Sequence, residues 1–512
     1  MRVTNHMIFG NSMNNIWRNA RHLNGLVTQI ETGKQIQRPS DDPLLSARTL
    51  RYRTILSETE QFLRNAQQGM AWMEVSEASF NSILTGSATT PSLMQRIYTR
   101  LVEGAQTGTQ TLEEHRAIVA ELRQYFNQMF GVDMNQTYLG RYVFSGFHTD
   151  QPPVLKEDWP GRSFIVSQEF NPNVIERAKA FYRPTHTSMP EYMWANIIKL
   201  PFTNVDFEFN VNALDPADPP PIGEAPATGI FLADGTRLDV ITIDSTVSEA
   251  YRPEGLVVHH LRDTGELIVS DELRDLIFAS GGLRVAYEKN NLVAGELNPI
   301  VYFESTEVLS LERNADGEII DSEAVRFNTR GHNIQMEISP MSYITINTHA
   351  RDTLTADLFA DLRRLFDFVD SLTPSDPGVI REYLRTHGDE DGNLLTGDAL
   401  DAAVARFLSD ERAAFAGAVH LRFDNMLRTI KEHTAQAQRQ HSQLGARMAR
   451  LEMVTIRLQE DEVAYTDLLS QNEDADLSAA IMQKAGAEAA FNHALRAIAM
   501  TTQLSLADFI NR

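Results

Sequence analysis

The two ends of the chain carry the same kind of hydrophobic pattern, and this pattern constrains the fold more than any other feature. Near the N-terminus, apolar residues recur at alternating spacings of four and three, which forms one narrow stripe along a helix and is typical of a coiled-coil seam. A seven-residue spacing near the C-terminus predicts a second seam, followed by a last amphipathic helix. The stripe residues, which we expect to form an interface, are Phe9, Met13, Ile16, Ala20, Leu23, Val27 and Ile30, then Leu444, Met448, Leu451, Leu458, Tyr465 and Leu469, then Phe491, Leu495 and Ile498.

Glycine, proline and capping residues set the predicted limits of the terminal helices. Gly33 follows the first stripe and suits the left-handed C-cap position. Asp42 and Pro43 predict the start of a second long helix, because aspartate caps free amides and proline suits the first helical turn. No proline follows Pro377, so long helices can form near the C-terminus. The stretch Ser470–Asp476 is expected to break them.

The middle of the chain has a different pattern, in which apolar and polar residues alternate and proline and glycine are frequent. Hairpin signals recur between apolar runs at Asp234-Gly235, Thr264-Gly265 and Asp316-Gly317. We therefore expect many short strands in this region.

Together these patterns predict a multidomain α+β protein. The expected parts are an N-terminal helical segment at residues 1–150, a β-rich middle domain at 151–345, and a C-terminal helical segment at 346–512 with an acidic helical insertion at about 372–411. Neither helical end carries enough apolar surface to fold alone, so we expect the two ends to pair as a coiled-coil or bundle stem.

Composition excludes several classes of protein. Lys and Arg number 46 against 69 Asp and Glu, a net charge of -23, which opposes binding to nucleic acid. The absence of cysteine excludes disulfides and thiolate chemistry. No stretch approaches the ~20 apolar residues of a membrane helix, and the N-terminus lacks the apolar run of a cleavable secretory signal. We expect neither a nucleic-acid nor a membrane partner.

The sequence contains no recognisable catalytic or cofactor motif, neither HExxH nor GxSxG nor a phosphate-binding glycine loop. The prediction is therefore a non-enzymatic protein without cofactor. The pair His259-His260 is expected to lie on a strand, where the two rings face opposite sides and oppose shared metal binding.

One segment resembles a calcium-binding loop of the EF-hand type, from His387 to Asp398. Asp389, Asp391 and Asp398 are its weak candidate metal ligands. His387 stands where the first acidic ligand is required, and Asp398 replaces the longer bidentate glutamate. We favour the interpretation that the segment is a solvated acidic turn between two helices.

Three separated motifs resemble the flagellin superfamily. They are the turn from Gly33 to Pro43, which contains Pro-Ser-Asp-Asp-Pro, the stretch Asn135–Asp150 with Gly-Arg-Tyr-Val-Phe-Ser-Gly, and the stretch Leu469–Leu477 at the helix break. The Pro-Ser-Asp-Asp-Pro form is similar to hook-associated members found at the hook–filament junction. The resemblance covers about the first 150 residues and the last hundred, and it leaves the middle unmatched.

The resemblance implies a structural adapter that joins hook to filament outside the bacterial cell. It further implies export in an unfolded state by the flagellar type III route, without a cleavable signal. The implied partners are copies of the chain in a ring, the neighbouring hook-associated protein, flagellin, and an export chaperone at the C-terminal helices. Two alternatives remain open: a flagellin-like filament subunit, and a secreted adhesin or enzyme whose activity lies in the β domain.

Overall fold

The computed structural model describes most of the chain and shows helices at both ends with a large β-sheet in the middle. The expected α+β class is thereby confirmed. The described residues are 5–510 except 37, 41, 88, 107–110, 186, 208–226, 314–318 and 389–393. The chain divides into two compact units: a terminal unit of residues 1–68, 337–343 and 450–512, and a central unit of residues 69–336 and 344–449.

The long helices belong to the two ends of the chain, and shorter helices lie between them. The described helices are α1 (Asn5–Thr32), α2 (Pro43–Phe80), α3 (Leu93–Gly104), α4 (Leu112–Phe126), α5 (Asp271–Ser280), α6 (Pro299–Tyr302), α7 (Ala350–Thr353), α8 (Ala356–Ser371), α9 (Pro377–His387), α10 (Gly397–Glu473) and α11 (Leu477–Ile510). Segments of π-helix extend α2 and α4, at Asn81–Thr85 and Asn127–Asp133.

The predicted helix limits are confirmed at both ends of the chain. Gly33 has φ of +67° and follows the end of α1. Helix α2 begins at Pro43, and the Asp42 carboxylate accepts hydrogen bonds of 3.0 Å from the next two amides, so it caps the helix. The predicted break separates α10, which ends at Glu473, from α11, which begins at Leu477.

The described chain contains a ten-stranded sheet, which lies in the central unit, and two separate two-stranded pairs. The strands are β1 (Thr137–Tyr138), β2 (Arg141–Tyr142), β3 (Trp159–Phe170), β4 (Glu176–Tyr182), β5 (Glu191–Lys199), β6 (Gly229–Leu232), β7 (Arg237–Ile243), β8 (Val257–Leu261), β9 (Glu266–Val269), β10 (Leu283–Leu292), β11 (Glu304–Arg313), β12 (Ile319–Phe327), β13 (Gln335–Ser339) and β14 (Ser342–Thr345). The large sheet has the order β12-β11-β3-β10-β6-β7-β8-β9-β5-β4. Its described pairs are antiparallel except β7 with β8, which is parallel.

Two of the three predicted hairpin turns are confirmed. Asp234-Gly235 joins β6 to β7, and Thr264-Gly265 joins β8 to β9. The φ of Gly265 is +66°, and a Cβ there would lie 2.4 Å from the carbonyl oxygen of Phe202, so this turn requires glycine. The third turn, Asp316-Gly317, lies outside the described residues, although the flanking strands β11 and β12 pair antiparallel.

The central unit has an aromatic core between its helices. The ring of Phe126 lies with its centroid 4.9 Å from that of Phe130, 5.1 Å from Phe359 and 5.7 Å from Phe366. Helix α4, the π-helical segment that extends it, and α8 supply these rings, and all four side chains are buried. This unit therefore folds around apolar surface of its own.

Candidate assembly interface in the terminal unit

Two segments that lie far apart in sequence meet in the terminal unit and join the end of α1 to the start of α11. The Gln35 amide donates a 2.7 Å hydrogen bond to the Glu473 carbonyl, and the Ala475 amide donates a 2.9 Å bond to the Gly33 carbonyl. Lys34 and Asp474 form the antiparallel bridge between these bonds. The structure thus brings together two of the three motifs that carried the family resemblance.

A buried carboxylate reinforces this junction. The Glu473 side chain is only 9% exposed, and it accepts hydrogen bonds from both Nε and Nη2 of Arg53. Lys34 Nζ lies 2.8 Å from the same carboxylate and 3.0 Å from that of Asp474. The hydrogen bond from Arg53 lowers the pKa of the Glu473 carboxyl against the opposing effect of burial. Glu473 is therefore charged at neutral pH and links α2, the turn after α1, and the end of α10.

Helices α1 and α11 pack against each other and run in opposite directions, because α1 ends and α11 begins at the junction. The predicted stripe residues of α1 are half-buried: Met13, Ile16, Ala20, Leu23, Val27 and Ile30. Phe9 lies in the helix, but its side chain is outside the described part. Leu26, which the stripe omitted, is the buried residue at 4% exposure. Its spacing of three from Leu23 and four from Ile30 was a signal that could have identified it.

The stripe on α10 is more deeply buried. Leu444, Leu451 and Leu458 are buried, while Met448, Tyr465 and Leu469 are half-buried. Leu444 and Met448 belong to the central unit, and the other four belong to the terminal unit. On α11, Phe491 and Ile498 are half-buried and Leu495 is 43% exposed.

The terminal unit also exposes large apolar side chains. On α10, Met453, Ile456 and Val463 are 66%, 51% and 63% exposed. At 100° per residue these three side chains lie on the face opposite Leu451 and Leu458. We call them the outer stripe; the seven-residue spacing from Ile456 to Val463 is the sequence signal for it. Other exposed apolar residues of this unit include Trp17, Leu44, Leu50, Leu477, Ile481, Met482 and Met500.

Few apolar side chains of the terminal unit are buried, in contrast to the central unit. Those described as buried are Leu26, Ala66, Ile338, Leu451, Leu458 and Ala480. Apolar surface that one chain leaves exposed on long helices commonly marks a protein–protein interface. The terminal unit is therefore the candidate functional site, and it would act by packing its apolar side chains against other proteins.

The metal candidates are not brought together by the described part of the structure. Asp389 and Asp391 lie outside the described residues, and Asp398 is exposed in the first turn of α10. His259 Nδ1 lies 3.1 Å from the Ala250 carbonyl oxygen, whereas His260 Nδ1 lies 3.3 Å from Thr242 Oγ1. No group of three or more His, Asp or Glu side chains suited to a metal occurs among the described residues. Within the same residues, no helix combines the length and apolarity needed to cross a bilayer.

Comparison with known proteins gives matches to flagellar proteins. The family model for the bacterial flagellin N-terminal helical region matches residues 3–149. Flagellar hook-associated protein 3 of Salmonella typhimurium is 24% identical over 154 residues, which are 30% of this chain and 46% of that protein. The protein of the same name from Escherichia coli is 23% identical over 158 residues, 31% of this chain and 47% of its own length. The chain thus spans about half the length of the curated relatives it matches.

Solved structures of flagellar proteins are also similar. The flagellar hook-associated protein 3 of Legionella pneumophila has 12% identity and a TM-score of 0.28, and the match covers 82% of this chain and 97% of that one. A flagellar junction protein of the same organism has 12% identity and a TM-score of 0.26, with 84% and 100% covered. Residues 3–149 thus match the model of the bacterial flagellin N-terminal helical region, which confirms the resemblance of the chain to the flagellin superfamily.

Proposed function

We propose that this chain is a structural, non-enzymatic adapter that joins the hook of a bacterial flagellum to its filament. The observation that carries the proposal is the junction between residues 33–35 and 473–475, which pairs the flagellin-type N-terminal region with the C-terminal helices. The curated relatives, both named as hook-associated proteins, support the same assignment.

In this proposal the terminal helices form a coiled-coil stem, and the stripe residues from Phe9 to Ile30, Leu444 to Leu469 and Phe491 to Ile498 form its interface. The partial exposure of the α1 stripe and the exposure of the outer stripe support it, because a single chain leaves these surfaces incompletely covered. The expected occupants are further copies of this chain in a ring, the neighbouring hook-associated protein, and flagellin.

The domain organisation follows from the same proposal. We assign residues 1–150 and 346–512 to the helical segments of the stem and 151–345 to a β-rich body. The ten strands of the large sheet all lie within residues 159–327 and support a β-rich body, and the compact central unit adds residues 69–150 and 344–449 to it. The acidic insertion at about 372–411 contains α9 and the start of α10.

Export and location are part of the proposal as well. We assign the protein to the extracellular flagellum, reached unfolded through the type III channel, with a chaperone covering the C-terminal helices beforehand. The exposed Leu477, Ile481, Met482 and Met500 on α11 support a chaperone site, since such side chains favour association in water.

Deletion of the gene tests the adapter function. Loss of an adapter should leave cells with hooks, without attached filaments, and with flagellin monomers in the medium, and the intact gene should restore filaments. Full filaments on the deletion strain would contradict the proposal. If the chain were a filament subunit, it would instead be the major protein of sheared filaments. If it were an adhesin or enzyme, removal of residues 151–345 would leave motility unchanged.

A further inference from the structure

A cavity of about 40 Å³ lies in the central unit where β4 and β5 meet α8 and α10. One buried water needs roughly 10–15 Å³, so the cavity has room for about three waters. Its charged lining consists of three cations, Lys199, Arg364 and Arg422, and two carboxylates, Glu176 and Asp361. This feature is separate from the terminal unit and does not depend on the proposed function.

The two carboxylates have cationic partners of their own. Lys199 Nζ lies 2.8 Å from both Glu176 Oε2 and Asp361 Oδ1. Arg428 supplies a second cation to Glu176 at 3.1 Å, and His433 Nε2 lies 3.7 Å from Asp361. Lys199 is therefore occupied between two acids, which leaves the two arginines to determine what the cavity attracts.

Arg364 is held rigidly but retains an unused donor. Its Nε and Nη2 donate to the carbonyl oxygens of Thr264, Leu200 and Gly265, and Glu266 lies 3.9 Å away. Its Nη1 is buried without a hydrogen-bond partner in the described structure. A buried guanidinium nitrogen without an acceptor raises the free energy of the folded state, because its N–H groups have lost their hydrogen bonds to water and have formed no others.

Arg422 has still fewer partners. Its guanidinium lies 5.1 Å from the centroid of the Phe368 ring, and no hydrogen bond or ion pair from it occurs among the described residues. The charges of Arg422 and Arg364 repel, which contributes to lowering the pKa of Arg364 after the larger effect of burial. Two guanidinium groups that border one cavity favour an anion that both can bind.

We propose that this cavity binds a small tetrahedral oxyanion, of the phosphate or sulfate type, between Arg422 and Arg364. Asn425, which also lines the cavity, adds a neutral amide that donates to an anion oxygen. The bound anion joins the two helices to the edge of the sheet, so it stabilises the central unit.

Titration of the full chain with inorganic phosphate, at ionic strength balanced with sodium chloride, tests the proposal by calorimetry and by the thermal unfolding midpoint. We expect saturable binding with Kd of about 1 mM or tighter and a rise in the midpoint, with sulfate equivalent. Acetate distinguishes a tetrahedral oxyanion from a carboxylate; equal binding of acetate would overturn the assignment of class.

Arg422→Gln should weaken phosphate binding about tenfold or more, because it removes charge-assisted hydrogen bonds. The matched control is Arg406→Gln on the same helix, which removes the same charge from a side chain that is 85% exposed; it should bind like the unaltered protein. Asn425→Ala provides a second variant if Arg422→Gln fails to fold, with binding weakened about fivefold. No saturable phosphate binding, or equal binding by all variants, would overturn the proposal.

Discussion

Arg53 on α2 donates two hydrogen bonds to the carboxylate of Glu473, a residue 420 positions further along the chain at the end of α10. The pair lies beside the backbone bridge of Lys34 with Asp474. This arrangement adds one buried acidic side chain to the backbone hydrogen bonds of the junction.

Glu473→Gln is expected to lower the free energy of unfolding of the terminal unit by about 1.5–3 kcal/mol, the usual contribution of hydrogen bonds to a charged group. Urea unfolding followed by a probe in α1 measures the loss. Glu460→Gln, at an exposed position of the same helix, is the matched control and should change stability little. Because folding lowers the pKa of Glu473 from its ordinary 4.5, its contribution is present above about pH 4.5 and is lost as the pH falls further. An equal effect of both variants would refute the role of the pair.

Acid should destabilise the central unit through His260. Burial lowers the pKa of His260 from 6.5 to about 4, so between these values the unfolded chain binds a proton that the folded chain does not. Stability therefore falls as pH decreases from about 6.5 to about 4, by roughly 3 kcal/mol for this one group.

His260→Gln should flatten this pH dependence, as measured by unfolding at a series of pH values. His332 and His349, whose pKa values burial also lowers, should retain a smaller dependence in the variant. The prediction fails if the variant and the unaltered protein lose stability in parallel below pH 6.5.

A substitution in the outer stripe of α10 should prevent assembly without unfolding the monomer. Ile456→Glu places a charge on an exposed site, so the monomer should fold with stability within about 0.5 kcal/mol of the original. Incorporation into flagella should be lost, because the charge would be buried against the neighbouring subunit. Complementation of the deletion strain, with detection of the protein in sheared flagella, provides the measurement. Gln438→Glu adds the same charge at an exposed position of the same helix, in the central unit and away from the outer stripe, and should assemble normally.

Leu451→Asp and Ile16→Asp differ from that case because they alter the paired face within one chain. Leu451 is fully buried, so Leu451→Asp should cost more than about 3 kcal/mol and unfold the terminal unit. Ile16→Asp should have a smaller effect, since Ile16 is only half-buried. Limited proteolysis should then release the ends of the chain while the central unit remains resistant. Incorporation of Leu451→Asp into flagella would contradict the stem.

Gly265→Ala tests the turn between β8 and β9. A Cβ at this position would lie 2.4 Å from the Phe202 carbonyl oxygen, in addition to the strain of a φ of +66°. Gly255→Ala is matched in strain, with φ of +61°, but has open space around the added methyl. We expect Gly255→Ala to cost about 1 kcal/mol from the backbone alone and Gly265→Ala clearly more, as thermal unfolding would show. Equal losses would mean that the contact with Phe202 relaxes freely.

Local sequence was sufficient to predict structural features that depend on only a few neighbouring residues. The cap at Asp42, the left-handed Gly33, the break before Leu477 and the turns at Gly235 and Gly265 were all predictable, because each depends on backbone conformation and hydrogen bonds over about four residues. The stripes on α1 and α10 could also be predicted from the sequence, since helical periodicity determines which side chains share a face.

The tertiary structure alone decided which of these elements meet. Sequence identified the motif around Glu473 but not its partner Arg53, because any of several arginines could have supplied the charge. The strand order, with β3 between β10 and β11, and the cavity bounded by Arg364 and Arg422 depend on long-range packing that no local pattern encodes. Periodicity determines which side of each helix or strand is apolar. Which other element covers that side depends on the relative free energies of all the packings that the whole chain could form.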